Sequence, residues 1–331
     1  MKKLGNSEII VQGVVLGAWA MGGWYWGGTD DNAAISSIHA SLDEGISGID
    51  TAPIYGCGHS ETVVGRAIQD RREKVVLLTK VGLRWDCEEG AFFFGMSEEE
   101  GGHQVYRNLR SNSIRKEVED SLKRLQTDYI DVLQCHWPDP STPVEETMHC
   151  LATLVQEGKA RSVGVSNFDV ELLERSKQTL LEYGIPLVSH QPRYSLLQRS
   201  IEREELPWTI KENVGNIVYS PIGQGLLTGK VSLDRVFPSD DGRSMDPDFS
   251  QENRKKILDA LQEIQDLCET YNCSFAQLAI GWCIHQSGIT SAIVGARTPE
   301  QAIENARAAQ LKIHPNDVER ITKTFTPLAH V

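Results

Sequence analysis

Short apolar runs alternate with amphipathic stretches along most of the 331-residue chain. Eight of these runs have the length of buried strands, and the stretches between them repeat apolar residues at helical spacing. Eight strand-then-helix units predict an α/β fold, a closed (β/α)8 barrel, with a doubly wound sheet as the alternative. The predicted strands are Val14–Ala18, Gly48–Thr51, Val75–Lys80, Ile130–Gln134, Ser162–Ser166, Leu187–Gln191, Ile217–Tyr219 and Ser291–Val294, and the clearest helices are Ala33–Glu44, Glu61–Gln69, Ser113–Leu125 and Pro143–Glu157.

No internal repeat or low-complexity linker divides the chain, so residues 1–331 are expected to form one domain. Its first dozen residues predict a β-hairpin with Gly5-Asn6-Ser7 as the turn, and the prediction is therefore a TIM barrel with an N-terminal β-hairpin. Three connections are too long for plain turns: Gly82–Arg110, Ser220–Ser250 and the tail after Ala309. Long loops at the C-terminal face of a barrel are usual places for lids and specificity elements.

Capping patterns mark several helix starts. Thr142-Pro143-Val144-Glu145 and Thr298-Pro299-Glu300-Gln301 each combine a hydroxyl N-cap, proline at the first helical position and Glu or Gln three residues after the cap. Ser97-Glu98-Glu99-Glu100 repeats the hydroxyl and Glu spacing. We therefore interpret its acidic run as a solvated helix start, not as a binding patch.

Composition limits the function classes. A formal net charge of -13 argues against a nucleic-acid or anionic-membrane partner, because either would favour a basic surface. The seven cysteines show no zinc spacing, so no metal site is predicted and reduced thiols are expected. Neither a signal-peptide pattern nor a membrane-length apolar segment is present, which predicts a cytoplasmic protein. No residue pattern specifies an oligomeric state.

Four titratable residues stand at the exits of predicted strands. In GIDTAPIYGCGHSE, Asp50 ends a short strand and Tyr55 follows in the loop; Lys80 closes the next strand, and His136 follows another. Charged and phenolic groups are costly to bury, so at these positions they indicate chemistry. Each has a simpler explanation alone: a cap for Asp50, packing for Tyr55, snorkelling for Lys80 and a surface group for His136. Their conjunction favours an active site.

The four residue types suit carbonyl reduction, which needs a proton at the carbonyl oxygen as a hydride arrives. A free tyrosine has a pKa of about 10 and is a weak acid at neutral pH. The ammonium of Lys80 would lower the pKa of Tyr55 toward the working range, and Asp50 would make the buried cation tolerable. His136 would donate a hydrogen bond that orients the carbonyl.

The expected cofactor site is not a Rossmann site, because no G-x-G-x-x-G occurs after an early strand. Barrels instead hold phosphates with the loops after strands seven and eight. The chain provides Ser220–Lys230 after the seventh strand and Gly295-Ala296-Arg297-Thr298 after the eighth.

The strings IDTAPIYG, LLTK and QCHWPDP resemble the catalytic tetrad of the aldo-keto reductase family, and YSPIGQGLLTGK and IVGARTPEQAIENA resemble its cofactor segments. The resemblance extends from Leu16 to about Ala306. It is strongest to bacterial members, including general-stress-type reductases, that are related to the potassium-channel β-subunit branch. It implies that Tyr55 is the acid, that Lys80 and Asp50 tune it, and that His136 lies beside the substrate oxygen.

The resemblance also implies a set of cofactor contacts. Arg297 is the natural fork for an adenosine 2′-phosphate, with an ion pair to an acid as its alternative. Gln301 is explained equally well by the capping pattern. The implied contacts are Ser166, Asn167 and Gln191 on the carboxamide, Tyr219 stacked on the nicotinamide, Ser220, Gly223, Leu226 and Lys230 along the pyrophosphate, Gly295 and Arg297 after the eighth strand, and Gln301 and Asn305 at the adenine.

Tryptophans near the strand exits are candidates for the substrate pocket. They would form apolar walls or stack on sugar rings, and core packing is the alternative for each. Arg193 and Arg199 could serve an anionic substrate or act as ordinary ion-pair partners. The candidate tryptophans are Trp24, Trp26, Trp85 and Trp137.

The sequence therefore predicts an NADP(H)-dependent oxidoreductase, with NAD(H) as the alternative cofactor, that interconverts small aldehydes, ketones or sugars and their alcohols, with the cofactor bound first. One rival is a cofactor-sensing regulatory subunit that keeps the tetrad and works by binding a partner. The other is a barrel lyase or isomerase that uses Lys80 as a Schiff-base nucleophile.

Overall fold

A computed structural model describes residues 1–97, 101–238 and 241–331. Within these ranges the strands are β1 (Lys2–Lys3), β2 (Ile10–Val11), β3 (Val14–Gly17), β4 (Gly48–Asp50), β5 (Val76–Val81), β6 (Leu83–Arg84), β7 (Ala91–Gly95), β8 (Gln104–Arg107), β9 (Val132–Cys135), β10 (Val163–Ser166), β11 (Leu187–Gln191), β12 (Gly215–Tyr219) and β13 (Ile289–Gly295). The helices are α1 (Asp31–Asp43), α2 (His59–Ile68), α3 (Ser111–Leu125), α4 (Val144–Gln156), α5 (Val170–Leu181), α6 (Glu205–Glu212), α7 (Gln251–Glu263), α8 (Gln265–Tyr271), α9 (Phe275–His285), α10 (Pro299–Ala308) and α11 (Pro315–Phe325).

Eight parallel strands close into a barrel in the order β3, β4, β5, β9, β10, β11, β12 and β13, with β13 paired back to β3. The predicted (β/α)8 barrel is confirmed, and each predicted strand end lies within two residues of the observed one. Buried apolar side chains fill the interior, among them Val15, Leu78, Val132 and Ile217. Parallel strands whose two faces are both covered are expected to be apolar almost throughout.

The predicted N-terminal hairpin is also confirmed, with β1 and β2 paired antiparallel. Its turn directs Leu4, which is fully buried, into the apolar cluster inside the barrel. At Gly5 the backbone has a φ of +51°, and an added Cβ would lie 2.5 Å from the carbonyl oxygen of Val188. Only glycine fits this close approach. With Leu4 buried inside the barrel, the hairpin closes the end opposite the strand exits.

The helices surround the barrel and bury their apolar faces against it. Met148 and Leu151 of α4, for example, join Leu133 of β9 in one buried cluster. Thr298 caps α10 as predicted, because its Oγ1 accepts from the backbone N–H of Gln301 at 3.4 Å. The predicted cap at Thr142 is wrong, since its hydroxyl donates to Asp139 at 2.7 Å. None of the described helices is long and apolar enough to cross a membrane.

The first long connection forms an additional antiparallel sheet in the order β6, β8, β7, which the sequence did not predict. Its aromatic run is a strand, β7, and the predicted acidic helix start at residues 98–100 lies outside the described residues. Gly82, with a φ of +98°, turns the chain out of β5 into this sheet. The turn is held by Glu117, whose buried carboxylate accepts from the N–H of Gly82 at 2.7 Å.

We predict that Glu117→Gln stabilises the fold increasingly as the pH rises. Burial raises the pKa of Glu117 to about 8, although the N–H of Gly82 and the charge of Arg84 oppose it. In the unfolded chain a glutamate titrates near pH 4.3. Protonation of Glu117 in the native state therefore stabilises the fold fully below about pH 4.3, and this stabilisation is lost progressively as the pH rises to about 8. Glutamine keeps an uncharged acceptor for Gly82.

Urea unfolding at several pH values between 5 and 8 measures this effect. The advantage of the variant should grow by at most about 1.4 kcal/mol per pH unit. Glu119→Gln, at an exposed position of the same helix, is the matched control. An advantage that is the same at pH 5 and pH 8 would show that Glu117 is ionised in the native state.

Candidate active site

The barrel brings the four predicted tetrad residues to one end. Asp50 is the last residue of β4, Lys80 lies one residue before the end of β5, and His136 follows β9 directly. Tyr55 lies in the short loop between β4 and α2. Because β4, β5 and β9 are neighbours in the closed sheet, their ends converge.

A buried ion pair forms the base of this arrangement. The Nζ of Lys80 donates to the Oδ1 of Asp50 at 2.5 Å, to the carbonyl oxygen of Thr51 at 3.0 Å and to the hydroxyl oxygen of Tyr55 at 3.3 Å. Lys80 is 1% exposed and Asp50 3% exposed. The three acceptors match the three N–H groups of an ammonium, which makes the buried charge tolerable.

The second oxygen of Asp50 is held by two amides from other strands. Gln191 donates to it at 2.8 Å and Gln134 at 3.3 Å. Gln134 was missed in the sequence, although a glutamine inside the apolar strand VLQC was a usable signal. The carboxylate therefore has a fixed direction before any ligand arrives.

Burial and charge act against each other at the tetrad. Burial disfavours the Lys80 ammonium, but Asp50 and Tyr55 outweigh it, and the pKa of Lys80 lies above its ordinary value. Burial raises the pKa of Tyr55, and Lys80 opposes this only in part. The expectation that the pKa of Tyr55 is lowered overall is therefore wrong for this state of the site. Lys80 limits a rise that burial would otherwise make larger.

The imidazole of His136 lies close to the phenol of Tyr55. Its ring is 5.7 Å from that of Tyr55, centroid to centroid, at an angle of 83°. Burial, with a smaller contribution from Lys80, holds the pKa of His136 well below its usual range. The imidazole is thus neutral at physiological pH and carries one N–H donor.

A hydrogen-bonded chain of polar side chains extends from His136 along the ends of β10 to β12. Asn167, with a φ of +60°, donates to the carbonyl oxygen of His136 at 3.0 Å and to the Oγ of Ser166 at 2.9 Å. Tyr219 donates to the Oδ1 of Asn167 at 3.0 Å, and Ser166 donates to the carbonyl oxygen of Gln191 at 2.7 Å. This chain orients the edge of the cleft predicted to meet the carboxamide.

These groups line a cleft of about 630 Å³. Lys80 does not line it, but it bonds two residues that do, Asp50 and Tyr55. Gly223 and Leu226 do not line it, and Leu226 packs in the core; their place along the pyrophosphate stays a prediction. The predicted cofactor residues that do line it are Ser166, Asn167, Gln191, Tyr219, Ser220, Lys230, Gly295, Arg297, Gln301 and Asn305.

The cleft fits a nicotinamide dinucleotide. Three tetrad residues, Asp50, Tyr55 and His136, line it together with Ser166 and Asn167, and so do Arg297 and Asn305. Gln224 also lines the cleft, and its buried Oε1 has no partner among the described residues. Such an orphaned acceptor suits a polar ligand.

The adenine-end residues have partners of their own. The guanidinium of Arg297 donates to the carbonyl oxygens of Trp26 and Gly28, each at 3.0 Å. Gln301 accepts from the backbone N–H of Arg297 at 2.8 Å, and Asn305 donates to the carbonyl oxygen of Gly295 at 3.0 Å. Arg297 therefore also holds the loop between β3 and α1, which carries Trp24 and Trp26.

Aromatic rings form the other wall. Trp24 stacks on Phe94 with centroids 5.7 Å apart, and Trp19 stacks on Tyr55 at 5.9 Å. Trp19 was missed in the sequence, although GAWAMGGWYWGG directly after β3 contains it. Trp24, Trp26 and Trp137 line the cleft as predicted.

Three other predicted candidates lie elsewhere. Trp85 does not line the cleft; it packs against the same cluster as Trp24 and Trp137, with the guanidinium of Arg124 6.0 Å from its ring centroid, and its role as a substrate residue stays a prediction. Arg199 forms an ion pair with Glu202 at 2.8 Å. Arg193 lies 3.6 Å from a carboxylate oxygen of Asp248. Both arginines therefore act as ion-pair partners, which was the alternative to a role in binding an anionic substrate.

Comparison with known proteins agrees with this geometry. Residues 13–325 match the model of the aldo/keto reductase family. This chain belongs to that family. The aldo-keto reductase YhdN of Bacillus subtilis is 40% identical over 301 residues, which cover 90% of this chain and 85% of the relative. The NADH-specific methylglyoxal reductase of Escherichia coli is 39% identical over 325 residues, 96% of each chain. The solved glycerol dehydrogenase of Gluconobacter oxydans shares 39% identity, with a TM-score of 0.84 over 98% of this chain and 94% of that one.

Family membership makes this aldo/keto reductase an oxidoreductase that uses a nicotinamide cofactor, which supplies or accepts a hydride when bound. The hydroxyl of Tyr55 can exchange a proton with a ligand in the cleft. Lys80 is held as an ammonium with all three protons engaged. An ammonium is not a nucleophile, so this state of Lys80 argues against the Schiff-base alternative.

We predict that Asp50→Asn destabilises this aldo/keto reductase by about 3–5 kcal/mol, because it leaves the Lys80 ammonium buried without a counter-charge. Urea unfolding at pH 7 measures the loss. Glu8→Gln is the control, since Glu8 pairs with Lys3 on the surface at 2.9 Å and such pairs contribute about 0–1 kcal/mol. Equal losses in the two variants would mean that the buried pair is not a net source of stability.

Proposed function

We propose that this aldo/keto reductase interconverts small aldehydes or ketones and their alcohols, with Tyr55 as the proton donor. The observation that carries the proposal is the phenol at the cleft surface, 3.3 Å from an ammonium that is itself locked to Asp50. Nothing in packing requires a buried cation at this position. A cation beside a phenol stabilises the phenolate that forms when the proton leaves.

Each tetrad member has a distinct role in the proposal. Tyr55 delivers its proton to the carbonyl oxygen, and Lys80 stabilises the resulting phenolate. Asp50 keeps Lys80 charged and aimed at the phenol. His136, neutral because it is buried, donates its N–H to the same carbonyl oxygen and stabilises the negative charge that develops there.

The protonation state of Tyr55 affects how fast each direction of the reaction is catalysed. Because burial raises its pKa, the phenol holds its proton at neutral pH. A protonated phenol is ready for carbonyl reduction, whereas alcohol oxidation needs the phenolate to accept a proton. We therefore propose that reduction is favoured at neutral pH and that oxidation gains as the pH rises.

The proposed substrates are small oxygen-rich carbonyl compounds, including three-carbon compounds and sugars. The relatives named for methylglyoxal reduction and glycerol dehydrogenation support the three-carbon class. Indoles in the wall offer flat faces for C–H groups. The Nε1 donors of Trp19, Trp24 and Trp26 are buried and have no partner among the described residues, which favours a ligand rich in acceptors.

For the cofactor we propose NADP(H), with NAD(H) as the alternative that the Escherichia coli relative represents. Four cationic side chains line the cleft, namely Lys230, Arg235, Arg243 and Arg297; two of them, Lys230 and Arg297, are predicted cofactor contacts, and both are exposed. Each terminal nitrogen of Arg297 donates one hydrogen bond, to the carbonyl oxygen of Trp26 or of Gly28, so the remaining N–H groups are available for a 2′-phosphate.

Tyr55→Phe should lower turnover by a factor of about 10²–10⁴, the usual contribution of a positioned acid, while cofactor affinity stays close to the wild-type value. Reduced-cofactor absorbance with a panel of aldehydes, ketones and sugars measures turnover, and fluorescence titration measures affinity. Tyr183→Phe, at an exposed tyrosine bonded to His149, is the control. Undiminished turnover would refute the assigned acid. Cofactor binding by the wild type without reduction of any carbonyl would favour the regulatory-subunit alternative.

Arg297→Ala should weaken NADPH binding about 10–100-fold and NADH binding much less, because charge-assisted hydrogen bonds to a phosphate contribute about 1.5–3 kcal/mol. Dissociation constants for both cofactors give the comparison. Arg307→Ala, on α10 directly after the Arg297 segment and paired with Glu44, controls for a general loss of positive charge. Equal losses for the two cofactors would show that Arg297 serves to hold the carbonyls of Trp26 and Gly28 and does not read the 2′-phosphate.

A further inference from the structure

Two cysteines outside the active site are brought together by the end of a helix. Cys268 lies in α8, and Cys273 lies two residues beyond its end. Asn272 between them is left-handed, with φ 47° and ψ 53°, and the N–H of Cys273 donates back to the carbonyl oxygen of Cys268 at 2.9 Å. This six-residue reversal is a Schellman-type end, which places the side chains of its first and last residues in contact.

The two thiols are close enough to shift each other's pKa, and both are half-buried. They therefore differ from the buried Cys135, Cys150 and Cys283. The neighbouring Cys268 lowers the pKa of Cys273, and the same contact raises the pKa of Cys268. One sulfur of the pair is thus favoured as a thiolate, and the other lies beside it.

The chain is anchored between the two cysteines and again after them. Between them, the hydroxyl of Tyr271 donates to Asp317 at 2.5 Å and accepts from the N–H of His314 at 2.9 Å, which ties α8 to the start of α11. After them, Ser274 and Gln277 form the capping box that begins α9. A change in the backbone at Cys273 is therefore passed to Ser274 and is not absorbed by a loose loop.

Ser274 connects the pair to the cleft. Its Oγ donates to the Oε1 of Glu304 at 2.6 Å, and Gln277 donates to the carbonyl oxygen of Glu304 at 2.8 Å. Glu304 lines the cleft, and its other carboxylate oxygen is 3.7 Å from the Nζ of Lys230. Two residues proposed for the cofactor, Gln301 and Asn305, flank Glu304 on α10.

We propose that Cys268 and Cys273 form a reversible intramolecular disulfide, with a low-molecular-weight disulfide such as oxidised glutathione as the oxidant, and that this bond weakens cofactor binding in the cleft. The second part rests on the proposed placement of the adenine end of the cofactor beside Arg297, Gln301 and Asn305. The first part is independent of it.

The chemistry is thiol–disulfide exchange in two steps. The Cys273 thiolate attacks one sulfur of oxidised glutathione, breaks the glutathione disulfide and releases one glutathione thiolate. The Cys268 sulfur, after losing its proton to solvent, attacks the Cys273 sulfur of the mixed disulfide and releases the second glutathione thiolate. The protein dithiol loses two electrons, and oxidised glutathione gains them. Reduced glutathione reverses both steps.

Bond formation changes the geometry at Cys273. The two sulfurs must approach to about 2.05 Å, with the Cβ atoms about 3.5–4.5 Å apart. Because Tyr271 fixes the α8 side, the displacement falls on Cys273 and the adjoining Ser274. The Ser274–Glu304 hydrogen bond then lengthens, and the wall of the cleft beside Lys230 loses its fixed position.

The test uses the full-length protein at a series of glutathione redox ratios, with free thiols blocked before digestion. Cleavage after Glu269, which lies between the two cysteines, leaves the flanking peptides joined only where the disulfide exists. Titration of the reduced and oxidised protein with NADPH and with NADH gives the affinities. We expect a linked peptide pair that dithiothreitol separates, and about a fivefold loss of affinity on oxidation, the lower end of typical coupling between sites. Cys268→Ser should show neither effect, and Cys87→Ser, which removes a half-buried thiol elsewhere, should show both.

Each outcome has a separate meaning. Absence of the linked peptides in oxidised wild type would overturn the disulfide. Linked peptides with unchanged affinity would overturn the coupling to the cleft. Reduced protein that binds neither cofactor would refute the proposed function, while the peptide result would still decide the disulfide.

Discussion

The ion pair between Lys80 and Asp50 is the constraint on which the site depends. A charged lysine inside a barrel is unfavourable unless its charge is matched and each N–H has an acceptor. Here Asp50, the carbonyl oxygen of Thr51 and the phenol of Tyr55 provide the three acceptors. The phenol of Tyr55 therefore helps to stabilise the buried ammonium and is also the proposed proton donor. Its distance from the cation is set by the same contacts that make the cation tolerable.

The closed barrel makes this arrangement predictable from sequence. Eight short apolar runs separated by helical patterns predict a closed barrel in a chain of this length, and the observed strand ends fall within two residues of the predicted ones. Once the strands are placed in a barrel, residues at their exits must converge, whatever their separation in the chain. Asp50, Lys80 and His136 could thus be grouped from the sequence; that the whole chain is one domain stays a prediction.

Features that depend on side-chain packing were not accessible in the same way. The amide of Gln134 holds Asp50 across the barrel, a contact between residues 84 positions apart that no local pattern encodes. The net pKa of Tyr55 depends on a competition between burial and charge, and the sequence revealed only the charge. Trp85 stands beyond a strand exit as the sequence indicated, but Gly82 turns that segment into a separate sheet and takes its ring away from the cleft.

The two walls of the cleft are held by different interactions. Residues proposed for proton transfer are therefore structurally separate from the aromatic residues that shape the pocket. The tetrad wall is fixed by hydrogen bonds between strand ends, so a change there disturbs a buried charge. The opposite wall consists of rings from three connections between barrel strands and helices, such as Trp24 on Phe94 and Phe93 beside Trp137, held by ring contacts and apolar burial. Ring contacts contribute about 0.5–1.5 kcal/mol each beyond the area that they bury, much less than a broken buried ion pair costs. Substitutions in the aromatic loops can therefore reshape the pocket while Lys80 and Asp50 keep the proton donor in place.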